Sequence, residues 1–541
     1  MNSMREFLRG KTGLFLLALL LVFPLLVLND IPLRDVLSRY APMAQAILDH
    51  NWMEAFHPRV PLLFSVFGAT CAGILHTSAF WGVKMASALC FALTVFPLWQ
   101  IFRRVFDEKI AQGGCLLFIF CSYWLRNASE GTRESAKLLF LTMAALGLVR
   151  VLQERRSIKG YLLAGVSLGA MVLIRDDSLV VGLFFGMILL GLEIAGLKRF
   201  PWRTCLVGAL GAVVLLPGIL INYVQTGYPV VSFRFVGVAS KVMKQDAFGP
   251  FPRPFTRLQP GESGIPEGNL LSRPVKATDS GSHQASEGFS PVTDEVFLDF
   301  ITSLLKGIYF LFAIPAIAVM ILRVRQKEWT AAETLLFSLW AGHTLLIVLQ
   351  IMIFDRYLYV SRRYLLPAAP LAFGWTALAL QGAYGYFSGR YPVGKVRATG
   401  VVLCVLLGAG LYYEALIPQL KQRFRPKHAD GRNALLVWSR KIREEYRGPD
   451  HQTDRIFRIA SYSTFRRPLV VSDDLPELGF MAGGENCSIC PERAQKEELH
   501  ADYFAVGYDA APPSYPGYRL VDVYKGKKYS YALYARNREV E

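Results

Sequence analysis

Carboxylates and guanidinium groups stand where this chain leaves its apolar stretches, and they are the side chains best suited to chemistry. Asp30 and Asp35 follow the first apolar run, Glu130 and Glu134 the third, and Arg175, Asp176 and Asp177 the fifth. Asp355, Arg356, Arg362 and Arg363 lie between the ninth and tenth. Ionisable groups near hydrocarbon are costly, so their gathering on one side of the apolar runs is informative. Arginine offers phosphate a planar donor fork, and a carboxylate can take a proton from a hydroxyl. Together at a membrane surface they suit a reaction on a lipid-phosphate substrate. Singly, each also serves as an interfacial anchor or a helix cap. Asp35 is placed to cap the helical pattern after it, and Arg362 and Arg363 are placed to hold lipid headgroups.

The elements that must position these groups are membrane spans. The chain has 541 residues, 53% of them hydrophobic, and a mean hydropathy of +0.31, which suits an apolar solvent better than water. About eleven spans are expected, at 12–28, 81–102, 110–125, 138–152, 161–174, 178–196, 204–221, 304–322, 334–354, 364–383 and 398–415, since roughly twenty helical residues cross a bilayer core. The loops on alternate sides are basic: Arg5, Arg9 and Lys11; Arg103, Arg104 and Lys109; Arg155, Arg156 and Lys159; Lys198, Arg199 and Arg203; Arg323, Arg325 and Lys327; Arg390, Lys395 and Arg397. Lys and Arg near span ends stay in the cytoplasm, which puts the N-terminus inside and the acidic and arginine-rich segments outside. The formal charge of +17 sits in these short loops and forms no continuous stripe, so nucleic acid is not an expected partner.

The fold class expected is an all-α polytopic membrane protein with a small C-terminal α/β domain. Residues 1–417 form the membrane domain, with external loops at 29–80 and 223–300, and residues 418–541 form a soluble domain on the non-cytoplasmic side. The loop 29–80 contains an amphipathic stretch, Asp35 to His50, and an apolar stretch, Pro61 to Ile74, expected along the membrane surface. The tail shows a helical pattern at 434–446 and strand-like runs at 456–461, 469–472, 503–507 and 529–534. Six of the eight cysteines lie in or beside apolar runs. Cys487 and Cys490 could form a local disulfide; as a zinc half-site they lack a second ligand pair of matching spacing. No phosphate-cradling glycine loop or nucleotide fingerprint is present.

Several segments, taken in order, resemble the GT-C membrane glycosyltransferases, whose branches include the protein O-mannosyltransferases and the lipid A aminoarabinose transferases. Asp35-Val-Leu-Ser-Arg39-Tyr40, followed by His57-Pro58-Arg-Val-Pro61-Leu62-Leu63, is similar to the first external loop of that family. Here Val36-Leu37-Ser38 separates Asp35 from Arg39-Tyr40, where the family commonly has Asp-Glu directly before the pair. Lys84 stands where the family often has a basic residue opening the second span. Arg126-Asn-Ala-Ser-Glu130-Gly-Thr-Arg133-Glu134 resembles the external acidic motif, Leu173-Ile-Arg175-Asp176-Asp177 the mid-chain turn, and Asn222 to Pro229 a turn ending a later span. Arg362-Arg363-Tyr364-Leu-Leu-Pro367-Ala-Ala-Pro370 resembles the Arg-Tyr-x-x-Pro-x-x-Pro start of a late helix. The likeness covers roughly residues 10–420.

The resemblance implies transfer of a sugar from a polyprenyl-phosphate donor to a lipid, glycan or protein acceptor at the outer face of the inner membrane, with inversion. By that likeness Asp35 is the base and Glu134 joins it as a catalytic carboxylate. Tyr40, His57, Lys84, Glu130, Arg175, Asp176, Arg362, Arg363 and Tyr364 line the substrate site, the two late arginines neutralising the leaving phosphate. No cofactor or metal ligand set is expected, although such a reaction could take a divalent cation. Two other classes fit the charge pattern: a transporter or flippase of lipid-linked sugars, and a catalytically silent assembly protein. Transporters show internal repeats and broken helices at mid-membrane depth, and no convincing repeat is seen here.

Overall fold

The structure is a computed structural model, which describes residues 10–28, 36–50, 55, 60–154, 158–197, 202–226, 302, 310–354, 365–424, 438, 441, 469–471, 485–487, 503–508, 512–525 and 530–537. The eleven apolar segments fall on helices wherever they are described. The first is α1 (Lys11–Leu28). A short π-helical turn, Val36–Tyr40, runs into α2 (Ala41–Leu48), and α3 (Leu63–Leu75) follows. At 13 residues, α3 is shorter than the roughly twenty needed to cross.

The second apolar segment is two stacked helices, α4 (Ala79–Leu93) and α5 (Val95–Val105). Pro97 cannot tolerate the carbonyl of residue 93 in a regular turn, so the ladder breaks at Thr94, whose hydroxyl donates to Cys90 O at 2.8 Å. The third segment differs from the expected single span 110–125. Helix α6 (Glu108–Ile119) stops at Phe120, and α7 (Ser122–Glu130) begins after Cys121, whose backbone is extended. The short helix α7 thereby carries the motif beginning at Arg126 as a separate element.

Next come α8 (Glu134–Gln153), α9 (Ile158–Ile174), α10 (Ser178–Leu197) and α11 (Trp202–Thr226). Then follow α12 (Phe310–Arg325), α13 (Ala331–Phe354), a 3-10 turn (Leu366–Ala372), α14 (Phe373–Arg390) and α15 (Val393–Phe424). Among the described residues, six helical stretches are long and apolar enough to cross a membrane. Helix α8 has 20 residues, about 30 Å of rise, so its two ends mark opposite faces of a bilayer core. At its C-terminal end Arg104 reaches Glu154 at 2.8 Å and Gln153 at 3.2 Å.

Loops expected on that same side close a second cluster. Arg323 grips the buried Glu333 at 2.8 Å, Trp375 Nε1 donates to the same carboxylate at 3.2 Å, and Phe106 packs edge-on to Trp375 at 5.7 Å. Glu333 also accepts from Thr330 N at 3.0 Å while Glu333 N donates to Thr330 Oγ1 at 3.2 Å, a capping box that starts α13.

Among the described residues of the tail, five strands form one sheet: β1 (Leu469–Val471), β2 (Glu485–Cys487), β3 (Tyr503–Tyr508), β4 (Tyr518–Lys525) and β5 (Ser530–Arg536). Their order is β2-β1-β3-β5-β4, with β1 parallel to both neighbours and β5 antiparallel to β3 and β4. Strands β2 and β4 were not among the expected runs. The run at 456–461 lies outside the described residues. Within 434–446, Trp438 and Lys441 are helical, and Lys441 reaches Asp522 of β4 at 3.1 Å.

Small residues let the helices approach closely, as membrane packing requires. A Cβ added at Gly147 of α8 would lie 2.8 Å from Gly160 O and 2.8 Å from Ala164 N of α9, whereas one at Gly186 of α10 meets nothing within 4 Å. Alanine favours helix over glycine by about 1 kcal/mol, and a clash with packed backbone costs about 1–3 kcal/mol. Gly147→Ala is therefore expected to lower the melting temperature of the detergent-solubilised protein, while Gly186→Ala leaves it unchanged or raises it. Thermal unfolding of both variants checks the pair.

Candidate functional site

At the opposite end of α8 the chain turns sharply out of α7, and that turn carries three of the motif's charged residues. Gly131 adopts φ +79°, a left-handed conformation that glycine takes without strain. A Cβ there would lie 2.9 Å from Lys84 Cγ, so glycine also lets the turn rest on α4. Ser87 of α4 donates to Thr132 O at 2.8 Å and lies 3.2 Å from Ser135 Oγ, while Thr132 Oγ1 donates to Asn127 O at 3.1 Å. These bonds satisfy the carbonyls that the end of α7 leaves open and pin Glu130, Arg133 and Glu134 against α4.

The tight turn between α9 and α10 brings the second group of charges to the same place. Arg175 Nη1 donates to Glu134 Oε1 at 2.7 Å, and its Nε donates to Asp177 Oδ2 at 2.8 Å. Lys137, one turn into α8, donates to the other oxygen of Asp177 at 3.3 Å. All four side chains are buried, so two acids and two bases form one network across two loops. Asp176, also buried, accepts from Asp177 N at 3.1 Å and shapes the turn. Burial alone would raise the Asp177 pKa, but Arg175, Lys137 and Arg133 hold that carboxyl well below the usual carboxylate range. His343 of α13, fully buried, lies within electrostatic reach of Lys137 and Asp177, and neither ring nitrogen has a hydrogen-bond partner.

Around this network the remaining described candidates fall into place. Lys84, fully buried in α4, donates to Leu26 O at 2.7 Å and lies over the Trp81 ring at 4.6 Å. Leu26 is in the last turn of α1, where carbonyls lack helical partners and a cation is favoured. Arg133 lies over the Tyr40 ring at 5.6 Å, and Tyr40 packs edge-on to Phe64 of α3 at 5.3 Å. Glu130 pairs with Arg126 within its own helix at 2.7 Å. Glu134, Arg175 and Asp176 thus share one cluster, and Lys84 and Tyr40 flank the Glu130–Glu134 turn. Asp35, His57, Arg362, Arg363 and Tyr364 lie outside the described residues, so their place in the site remains an expectation from sequence.

Lys137, Arg133 and His343 were not named as site residues, and Asp177 was read only as a neighbour for Arg175. Lys137 carries a signal in hindsight: a charge three residues after Glu134 shares its helical face inside an apolar run. His343 has no local signal, because its neighbours come from α8 and the Arg175 turn. Among the described residues no three His, Cys, Asp or Glu side chains gather as a metal site. Glu134 and Asp177 already bond to arginine and lysine, so the described residues do not fit a divalent cation.

Breaking one member of a buried ion network leaves its partner charged and unsolvated, at about 3–5 kcal/mol. Asp177→Asn is expected to destabilise the protein by that order at neutral pH. The folded carboxyl titrates below its unfolded value of about 3.9, so its contribution is complete above that pH and is lost as pH falls through the folded value. Melting curves of wild type and Asp177→Asn, taken from pH 7 downward, are expected to stay apart to about pH 4 and to converge below it.

Comparison with known proteins bears on what such a site is for. Residues 59–221 match the family described as dolichyl-phosphate-mannose-protein mannosyltransferase. Among curated proteins none matches the chain. ArnT from Cupriavidus metallidurans, solved bound to undecaprenyl phosphate, superposes with a TM-score of 0.57 at 13% identity, over 96% of this chain and 97% of that one. Its apo state gives the same TM-score at 12% identity. The apo oligosaccharyltransferase of Archaeoglobus fulgidus gives 0.50 at 14% identity, over 92% of this chain and 69% of that one. A further structure of that oligosaccharyltransferase, in complex with zinc and sulfate, gives 0.50 over 91% of this chain and 67% of that one. The fold is therefore shared across nearly the whole chain at low identity, and the matched segment contains Lys84, Glu130, Glu134, Arg175 and Asp176. Residues 59–221 are thus similar to that mannosyltransferase family, and the chain as a whole has the fold of ArnT and of the archaeal oligosaccharyltransferase.

Proposed function

We propose that the protein transfers a sugar from a polyprenyl-phosphate carrier to an acceptor at the outer face of the inner membrane. The observation that carries this reading is the buried Glu134–Arg175–Asp177–Lys137 network, which joins two separate loops at one end of a fold shared with an undecaprenyl-phosphate-binding protein. In the proposed orientation the basic loops face the cytoplasm, and this end, the loops 29–80 and 223–300, and the 418–541 domain face outward.

In the proposed reaction Asp35 takes the proton of an acceptor hydroxyl as its oxygen attacks the anomeric carbon. The bond from that carbon to the carrier phosphate breaks on the opposite face, which inverts the centre and releases polyprenyl phosphate. Arg362, Arg363 and Lys84 neutralise the leaving phosphate, with Tyr364 beside them. Glu134 and Arg175 fix the two loops that frame the site; Asp176, Glu130, His57 and Tyr40 shape the acceptor side. A divalent cation, if the reaction takes one, needs ligands other than Glu134 and Asp177. A flippase would also bind the carrier, but the described charge clusters lie at the two ends of α8 rather than at mid-depth, which favours transfer.

The test is turnover of purified protein in liposomes supplied with a panel of polyprenyl-phosphate sugars and cell-envelope acceptors. Asp35→Asn is expected to lower kcat about 10²- to 10⁴-fold, and Arg363→Ala to lower it as well, with both variants folded. Turnover indifferent to both changes removes the site assignment. Carrier crossing the bilayer with its sugar bond intact assigns the protein to transport instead.

A further inference from the structure

Among the described residues Arg133 has two buried guanidinium donors open, where Arg150 and Arg203 have one each. Arg133 is 8% exposed, and neither its Nε nor its Nη1 has a hydrogen-bond partner. Glu134 and Asp177, the carboxylates around it, already accept from Arg175 and Lys137. Asp177 feels the Arg133 charge without bonding to it. The Tyr40 ring at 5.6 Å holds one face of the guanidinium by a cation–π contact, which orients the group but fills none of its in-plane donors. A buried guanidinium with open in-plane donors is incomplete as a structural element and complete as a receptor for a planar or tetrahedral oxyanion. It also sits two residues beyond Gly131, whose close approach to Lys84 sets both cations about the same turn.

We propose that Arg133 is an oxyanion-binding residue that donates to a phosphate group from the guanidinium donors left open, Nε or Nη1. The group comes either from the lipid carrier or from a phosphorylated acceptor. This inference rests on the lipid-phosphate reading above and adds to it a residue outside the motif positions assigned there. Tyr40 is then a positioning residue that sets the plane of the guanidinium.

Binding to the full-length protein in nanodiscs tests it, with undecaprenyl phosphate, undecaprenol as the uncharged control, and inorganic phosphate as a soluble probe. Wild type is expected to bind undecaprenyl phosphate well above undecaprenol. Arg133→Gln is expected to weaken phosphate binding about ten- to a hundredfold, the worth of a charge-assisted hydrogen bond or two. Arg133→Lys, which keeps the charge and loses the fork, is expected to fall between them, and it serves as the readout if the Gln variant does not fold. A loss confined to undecaprenyl phosphate assigns the carrier as the source. A loss confined to inorganic phosphate assigns a soluble or acceptor phosphate. Wild-type affinity for both probes in folded Arg133 variants overturns the inference while leaving the proposed function standing. Failure of wild type to prefer undecaprenyl phosphate over undecaprenol, with no affinity for inorganic phosphate, overturns both.

Discussion

Four ionised side chains, Glu134, Lys137, Arg175 and Asp177, are sealed from water at one end of the helical bundle, and the surrounding structure has to satisfy them. Moving an ion out of water costs several kcal/mol even after relaxation, and attraction offsets that only where geometry and hydrogen bonding are nearly complete. Here the guanidinium of Arg175 spans two carboxylates at 2.7 and 2.8 Å, and Lys137 takes the remaining oxygen of Asp177 at 3.3 Å. The first turn of α8 and the turn between α9 and α10 are therefore tied together, because a shift of either strands a charge.

That tie reaches the neighbouring elements through backbone. Glu134 directly follows the Gly131–Arg133 turn, so fixing its carboxylate fixes the turn, which Ser87 also holds from α4 by its bond to Thr132 O. The same turn rests on Lys84, and Lys84 closes the last turn of α1 through Leu26 O. Arg133 carries the constraint across to Tyr40 and, through Phe64, to α3. The result is a set of cations and carboxylates whose positions are determined before any substrate arrives. In the proposed transfer, preorganised charge of this kind needs no rearrangement as new charge develops on the leaving phosphate.

The other end of the bundle uses similar residues for a different purpose. Arg323, Glu333, Thr330 and Trp375, with Glu328 taking the other Arg323 donors, form a helix cap braced by the Trp375 ring stacked on Trp329 at 5.8 Å. Every guanidinium nitrogen of Arg323 donates a hydrogen bond, whereas two of Arg133 are open. The two clusters thus use the same residue types with a different balance of donors and acceptors.

Apolar length and the placement of Lys and Arg were enough to read the membrane class, the approximate positions of the helices and the segments that bear acid and arginine, because hydrocarbon imposes its demands on each segment separately. The motif from Arg126 to Glu134 and the Arg175–Asp177 turn were legible for the same reason: charges beside apolar runs stand out locally. The break between α6 and α7, the strands β2 and β4, and the roles of Lys137, Arg133 and His343 were not legible. Each depends on partners far away in the chain: Lys137 on Asp177, 40 residues on, and His343 on α8 and the Arg175 turn. Which buried charge is paired and which is left open is decided by how loops from distant segments pack, and only the tertiary structure supplies that.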